Sequence, residues 1–173
     1  MEEHNMKPRK FTIRDITLAA LTGGLYTALS YFGSIFGLTY GPIQCRFSEA
    51  LTVLPFLNPL TAWGLFAGCI ISNILSPYGP LDLVFGSLVT LLAGLLTARC
   101  KDRRLAPLPP VICNGVIVGG VIAFEEAGLT AAFPAAFALN GITVAFGEAL
   151  ACYILGLPLL ALLEKARFMP SRH

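Results

Sequence analysis

Four ionisable side chains stand inside or beside strongly apolar stretches of the sequence. Arg46 and Glu49 lie three residues apart in GPIQCRFSEALTVLPFLNP, Asp82 follows the turn SPYGPL, and Glu148 lies in AFGEALAC. A charged group inside a membrane span costs about 2.5 to 3.5 kcal/mol on insertion scales, so such groups usually face a partner or a cavity. These four residues are therefore the first candidates for a ligand site.

Amide side chains at similar depth extend this set. Carboxylates, one guanidinium and several amides together suit a small polar molecule that is rich in hydrogen-bond donors, including a cationic one. The predicted substrate-binding residues are Gln44, Arg46, Glu49, Asn73, Asp82, Asn140 and Glu148, and Asn114 is a further polar residue at membrane depth.

Each of these residues also has a structural explanation. Arg46 and Glu49 have the spacing of an intrahelical ion pair. Asp82 follows Gly and Pro, as the N-cap of a helix does, and the asparagines suit interhelical hydrogen bonds. Glu148 is harder to explain in this way, because no basic residue lies within a turn of it. It needs a neighbour on another helix, a proton or a bound cation.

Catalytic and metal-binding motifs are missing from the sequence. It contains neither H-E-x-x-H nor G-x-S-x-G, its histidines are His4 and His173, and its five cysteines form no C-x-x-C pair. There is also no G-x-x-x-x-G-K-[ST] motif for ATP. We therefore expect no enzyme activity, no metal, no cofactor and no nucleic-acid partner. If ATP powers this protein, the hydrolysis takes place on other chains.

The composition is that of an integral membrane protein. Of 173 residues, 55% are hydrophobic and 13% charged, whereas ordinary soluble domains are about 25% charged. Several apolar runs approach or exceed the roughly 20 residues that cross a bilayer. They occupy the whole length, which argues against a signal peptide followed by a soluble domain.

The positive charges predict the number of crossings. All twelve Lys and Arg except Arg46 fall in the clusters 7–14, 99–104 and 165–172, which the positive-inside rule places on the cytoplasmic side. An even number of crossings must separate successive clusters. The apolar run around residues 48–75 therefore has to be two helices, divided where Pro55, Asn58 and Pro59 disfavour a helix.

The resulting fold class is an all-α bundle with six transmembrane helices and both termini in the cytoplasm. It is predicted as a single membrane domain over residues 1–173. The predicted helices are approximately 11–33, 43–57, 59–75, 82–98, 107–124 and 133–163.

The first helix carries two stripes of small residues, each repeating every four residues. One stripe is Ala20, Gly24 and Ala28, and the other is Ala19, Gly23 and Thr27. Such stripes let a second helix approach closely. Packing inside the bundle would account for one stripe, and the second stripe would then be available for contact with a partner protein.

The segment YGPIQCRFSEALTVLPFLNP, followed by LFAGCIISNILSPYGPLDLVFGSLVTLLAGLLTAR, resembles the QueT family. This family belongs to the substrate-binding S components of energy-coupling factor (ECF) transporters, and the resemblance covers residues 13–163. It implies a multi-pass protein of the bacterial plasma membrane. It also implies that Ala20, Gly24 and Ala28 dock on the membrane T subunit, which carries two ATPase subunits.

The resemblance further implies the ligand, a queuosine precursor. The simplest is 7-aminomethyl-7-deazaguanine, a 7-deazaguanine with a cationic side group. Two alternatives remain open at this point: an S component for another small vitamin, and a non-transporting assembly subunit whose polar residues hold helices together.

Overall fold

The chain folds as a bundle of helices. The computed structural model describes residues 12–37, 46–74, 76 and 79–166, and this part of the chain contains no strand. The helices are α1 (Ile13–Ile35), α2 (Phe47–Phe56), α3 (Thr61–Asn73), α4 (Gly79–Thr97), α5 (Arg103–Ala127) and α6 (Phe133–Lys165). Within these described residues, the prediction of an all-helical fold with six helices is confirmed.

The helices differ in whether they can cross a membrane unaided. By length and composition, α4, α5 and α6 are long and apolar enough to do so. Helix α1 has 23 residues, about 35 Å at the α-helical rise. Helix α2 is a 3-10 helix of 10 residues, which spans about 20 Å because the 3-10 rise is larger than the α-helical one. Helix α3 has 13 residues, which also gives about 20 Å.

The apolar run between α1 and α4 divides at Asn58, close to the predicted position. The Asn58 Oδ1 accepts a hydrogen bond from the Leu60 N–H at 3.1 Å, and its Nδ2 donates to Asp15 Oδ1 at 2.9 Å. Asp15 in turn forms a capping box with Thr12 at the start of α1. The α2–α3 turn is therefore fixed to the first turn of α1.

Helices α1 and α3 cross with their backbones in contact. A Cβ atom on Gly23 would lie 2.5 Å from the Gly64 carbonyl oxygen, and one on Gly64 would overlap the carbonyl of Ala19. The Thr27 hydroxyl donates to the Gly68 carbonyl at 3.1 Å. The stripe that begins at Ala19 is therefore the one that packs inside the bundle. Helices α5 and α6 also cross at glycines, since a Cβ on Gly119 would lie 2.6 Å from an α6 backbone atom.

The surface is apolar and much of the interior is polar, the reverse of a soluble protein. Large side chains such as Trp63, Ile142 and Phe146 are more than half exposed. The buried residues include several charged and hydroxyl side chains. This distribution fits a bundle that is surrounded by lipid and holds a polar centre.

Each of the three long helices contains a π-helical segment: Asp82–Gly86 in α4, Asn114–Val118 in α5 and Leu150–Gly156 in α6. Such segments are rare and occur often at functional sites. Two of them begin at a buried polar residue, Asp82 and Asn114. The third follows Glu148 by two residues.

Candidate functional site

The four charged residues singled out in the sequence are all buried in the bundle. Their exposed fractions are 9% for Arg46, 3% for Glu49, 2% for Asp82 and 5% for Glu148. They come from the entrance to α2, the first turn of α4 and the middle of α6. Residues distant in sequence therefore share one polar centre.

Asp82 anchors one half of this centre. Its Oδ2 lies 3.4 Å from Arg46 Nη2 and accepts a hydrogen bond from the Ser76 hydroxyl at 2.5 Å. Its backbone carbonyl accepts a hydrogen bond from Asn73 Nδ2 at 3.1 Å. Because α4 begins at Gly79, Asp82 lies inside the helix, and the N-cap explanation is wrong. Asp82 instead joins α4 to the end of α3 and to the entrance of α2.

Glu49 is held by α1. Its Oε1 accepts a hydrogen bond from the Tyr26 hydroxyl at 2.5 Å, and Tyr26 is fully buried. Its Oε2 is buried and has no hydrogen-bond partner in the described part of the chain. The structure thus gives Arg46 and Glu49 different partners, which argues against a simple intrahelical ion pair.

A cavity opens between α2, α5 and α6. Its lining residues are Arg46, Glu49, Asn114, Val118, Val144 and Glu148. The cavity has a volume of about 10 Å³, room for about one water molecule, so its side chains must move apart before it admits a ligand of the size that small-molecule pockets hold. The polar groups converge on one side, whereas Val118 and Val144 supply an apolar wall.

Glu148 reaches this cavity from the middle of α6. Its Oε1 lies 3.6 Å from the Cys152 Sγ, a long and weak S–H hydrogen bond. The carboxyl groups of Glu148 and Glu49 lie within hydrogen-bonding reach of each other, and Arg46 attracts both. The Asn114 side chain lies within hydrogen-bonding reach of the Glu148 carboxyl group, although its buried Nδ2 makes no well-aligned hydrogen bond to a described residue.

Acidic side chains outnumber basic ones in the described part of this centre. One guanidinium stands against three carboxylates, and one of those, Asp82, is already paired with it. Buried charge without compensation is costly, so the centre favours a cation or a ligand with several donors. Within the described ranges no group of three or more His, Cys, Asp or Glu residues could hold a metal ion.

Comparison with known proteins identifies the family. A sequence model described as QueT transporter matches residues 16–165. The chain belongs to the QueT transporter family. A similar relative is the queuosine precursor transporter QueT of Lactococcus lactis subsp. cremoris (strain MG1363), 36% identical over 95 residues. That match covers 55% of this chain and 56% of the relative, so the matched region spans about half of the relative's length. No solved structure matches.

Membership in the QueT transporter family assigns the chain to membrane transport proteins, in agreement with its apolar helices.

The structure does not bring all predicted binding residues of this QueT-family chain to the cavity. Asn140 donates to Glu126 Oε2 at 2.7 Å, which joins α6 to α5 away from the cavity lining. Asn73 does not line the cavity and reaches the polar centre through its Nδ2, which donates to the Asp82 carbonyl and to the Cys69 Sγ. Gln44 lies outside the described residues.

The predicted docking residues lie on the surface of α1. Ala20, Gly24 and Ala28 are exposed, and a Cβ added to Gly24 would meet no atom within 4 Å. The neighbouring stripe is the one that packs on α3. The two stripes of the first helix therefore face different surroundings.

Two residues of the centre were missed in the predicted binding set. Tyr26 carried no signal, because a tyrosine in an apolar helix is common and its partner is distant in sequence. Asn114 was recognised as polar at membrane depth, but the sequence did not show that it faces Glu148.

Proposed function

We propose that this chain is the substrate-binding S component of an ATP-driven ECF transporter for a queuosine precursor. The substrate is a 7-deazaguanine such as 7-aminomethyl-7-deazaguanine, taken up through the bacterial plasma membrane. Support comes from the QueT family membership and from the name of the Lactococcus lactis relative.

The observation that carries this proposal is the acidic, amide-bearing cavity at the centre of an apolar bundle. A guanine-like ring presents two adjacent N–H donors that a carboxylate accepts as a fork, and its carbonyl oxygen requires a donor. Glu49 and Glu148 provide carboxylates, and Arg46 and Asn114 provide donors. The aminomethyl group adds a positive charge, which suits the excess of carboxylates.

The proposed topology has six crossings with both termini in the cytoplasm. It rests on the positive clusters at both ends and in the α4–α5 connection. Helices α2 and α3, each about 20 Å long, then cross as a short pair joined at Asn58 on the cytoplasmic side. Their limited length is compatible with burial against the longer helices.

The proposed partners are a membrane T subunit and two ATPase subunits. The exposed stripe of Ala20, Gly24 and Ala28 leaves room for a helix of the T subunit to approach the α1 backbone. ATP would be hydrolysed on the partner subunits, and the chain itself would need no cofactor.

Equilibrium binding to the purified protein tests the substrate. We expect saturable binding of 7-aminomethyl-7-deazaguanine at one site, measured by calorimetry in detergent beside a panel of small vitamins. If no deazapurine binds below high micromolar concentrations, the proposal is wrong. Binding of a panel vitamin would instead support an S component of another specificity.

The docking surface is tested by Gly24→Leu. We expect this variant to bind ligand like the wild type but to lose co-purification with the T subunit and uptake into cells, because the side chain blocks the approach of the partner helix. Ala135→Leu, at an exposed position of α6, is the matched control and should preserve all three properties. Normal assembly of Gly24→Leu would show that the stripe is not the docking surface.

A further inference from the structure

We propose that Glu49 and Glu148 hold one proton between them in the ligand-free protein, and that a cationic ligand displaces this proton when it binds. The ligand then enters in exchange for a proton, which leaves to the solvent. This inference rests on the proposed function and goes beyond it, because it adds a proton to the binding reaction. It follows from the contacts of the two carboxyl groups and from the size of the cavity between them.

The two carboxyl groups are brought together by the helices that carry them. The Cys152 Sγ lies 3.3 Å from the Glu49 carbonyl oxygen and 3.6 Å from Glu148 Oε1. A Cβ on Gly156 would lie 3.0 Å from the Ala50 carbonyl oxygen, so α2 and α6 are in direct contact here. The side chains of Glu49 and Glu148 therefore line one small cavity and lie within hydrogen-bonding reach of each other.

A contact between two carboxyl groups is a hydrogen bond only when one of them carries a proton. An ionised carboxylate accepts hydrogen bonds and donates none. Glu49 Oε1 accepts from the Tyr26 hydroxyl at 2.5 Å, whereas its Oε2 is buried and receives no hydrogen bond from an N–H, O–H or S–H donor of the described residues. A proton on the Glu148 carboxyl group supplies a donor to Glu49. Without this proton, two negative charges face each other in a buried site.

The surrounding charges do not remove the need for this proton. Arg46 attracts both carboxyl groups, but its guanidinium also forms an ion pair with Asp82 at 3.4 Å. The titratable and charged groups that face the pair are the Tyr26 hydroxyl on α1, Arg46 at the entrance to α2, the Cys69 thiol on α3, Asp82 on α4, the Cys113 thiol on α5 and the Cys152 thiol on α6. Among these described residues Arg46 is the one cation, so a fully ionised pair would leave two negative charges uncompensated. When two carboxyl groups share a buried site, one of them keeps its proton much more readily than the other.

The cavity has no room for a ligand while this contact is intact. Its volume is about 10 Å³, enough for about one water molecule. A ligand must therefore push Glu49 and Glu148 apart, which breaks the hydrogen bond between them. A cation placed between the two groups compensates the second negative charge, so the proton is released to the solvent. The net charge of the centre is the same before and after the exchange, because one positive charge replaces another.

Two ligands with the same ring separate this exchange from simple binding. 7-Aminomethyl-7-deazaguanine is cationic, whereas 7-cyano-7-deazaguanine is neutral. We expect the purified protein to release about one proton for each aminomethyl ligand bound and none for the cyano ligand. Calorimetry in two buffers of different ionisation enthalpy counts these protons. Because protons compete with the cation, the affinity for the aminomethyl ligand should rise by up to about tenfold per pH unit between about pH 6 and 8, and that for the cyano ligand should change little.

The shared proton can also be observed without a ligand. The carbonyl stretch of a protonated carboxyl group is separated from the carboxylate bands in the infrared spectrum, and isotope-labelled glutamate assigns it to this residue type. We expect this band in the ligand-free wild type at neutral pH. It should disappear when the aminomethyl ligand binds and remain when the cyano ligand binds.

Glu148→Gln removes the proton but keeps a donor, since the amide N–H can replace the carboxyl O–H toward Glu49. We expect this variant to lack the infrared band, to release no proton with either ligand, and to bind the aminomethyl ligand with an affinity that no longer depends on pH. Glu126→Gln removes an exposed carboxylate that accepts from Asn140 and is the matched control. It should release one proton like the wild type.

Several results would overturn the exchange. These are a ligand-free wild type without the protonated glutamate band, aminomethyl binding without proton release, release with both ligands alike, and undiminished release by Glu148→Gln. The proposed function survives each of them, because a deazapurine still binds. A wild type that binds neither ligand refutes the proposed function, and the exchange with it. Folding is checked by gel filtration, and if Glu148→Gln does not fold, the calorimetry and infrared spectra of the wild type decide.

Discussion

Two adjacent glycines of α1 should respond in opposite ways to the same substitution. A Cβ on Gly23 would lie 2.5 Å from the Gly64 carbonyl oxygen, whereas a Cβ on Gly24 would meet nothing within 4 Å. Ordinary contacts of this kind are 3.4 Å or longer. Gly23→Ala therefore requires α1 and α3 to separate by about 0.9 Å, and overpacking of this kind costs about 1–3 kcal/mol.

The comparison of the two variants isolates this cost. Both gain the same helix propensity, about 1 kcal/mol for Ala over Gly, so this gain cancels in the difference. Separation of the helices also lengthens the bond from Thr27 to Gly68, now 3.1 Å. We expect Gly23→Ala to be about 2 kcal/mol less stable than Gly24→Ala.

Unfolding of both purified variants in the same detergent measures the difference. The unfolding midpoint of Gly23→Ala should lie roughly 4–8 °C below that of Gly24→Ala, from the usual scaling for a chain of this size. Equal midpoints would refute the assignment of the Gly23 stripe to internal packing. A lower midpoint for Gly24→Ala than for Gly23→Ala would mean that the Gly24 face of α1, and not the Gly23 face, packs inside the bundle.

Two further substitutions test the polar connections between helices. Asp82→Asn removes the carboxylate partner of the buried Arg46 and should lower the unfolding free energy by about 3–5 kcal/mol. Arg103→Gln removes an exposed ion pair of 3.2 Å and should lower it by less than about 1 kcal/mol. Similar losses for the two variants would contradict this difference between the pairs. Asn58→Ala removes the side-chain hydrogen bonds to Asp15 and to the Leu60 N–H, and should lower the unfolding free energy by about 1–3 kcal/mol. An unchanged unfolding midpoint would show that other contacts hold the α2–α3 turn.

Much of the fold could be predicted because a membrane restricts the possibilities. Spans must be helical, and the positions of Lys and Arg restrict their number. The division at Asn58 followed from charge parity as well as from the prolines. The 3-10 geometry of α2 could not be predicted, since it depends on how this short helix packs in the bundle.

The candidate site was predictable in composition but not in pairing. Charge at membrane depth identified Arg46, Glu49, Asp82 and Glu148, and the structure buries all four. Which carboxylate pairs with Arg46 depends on the rotation of α4 about its axis, and no local pattern encodes that rotation. For the same reason Asn140, which has the right chemistry, faces Glu126 instead of the cavity.

The π-helical segments have a consequence for how relatives of this chain should be aligned. A π turn contains about one residue more than an α turn, so a relative with a regular α5 would have one residue fewer near Asn114–Val118. Each residue of an α-helix turns the chain by about 100°. An alignment that forbids a gap there would match positions facing the cavity with positions facing lipid. A single-residue gap inside this hydrophobic helix is therefore to be expected and should be retained.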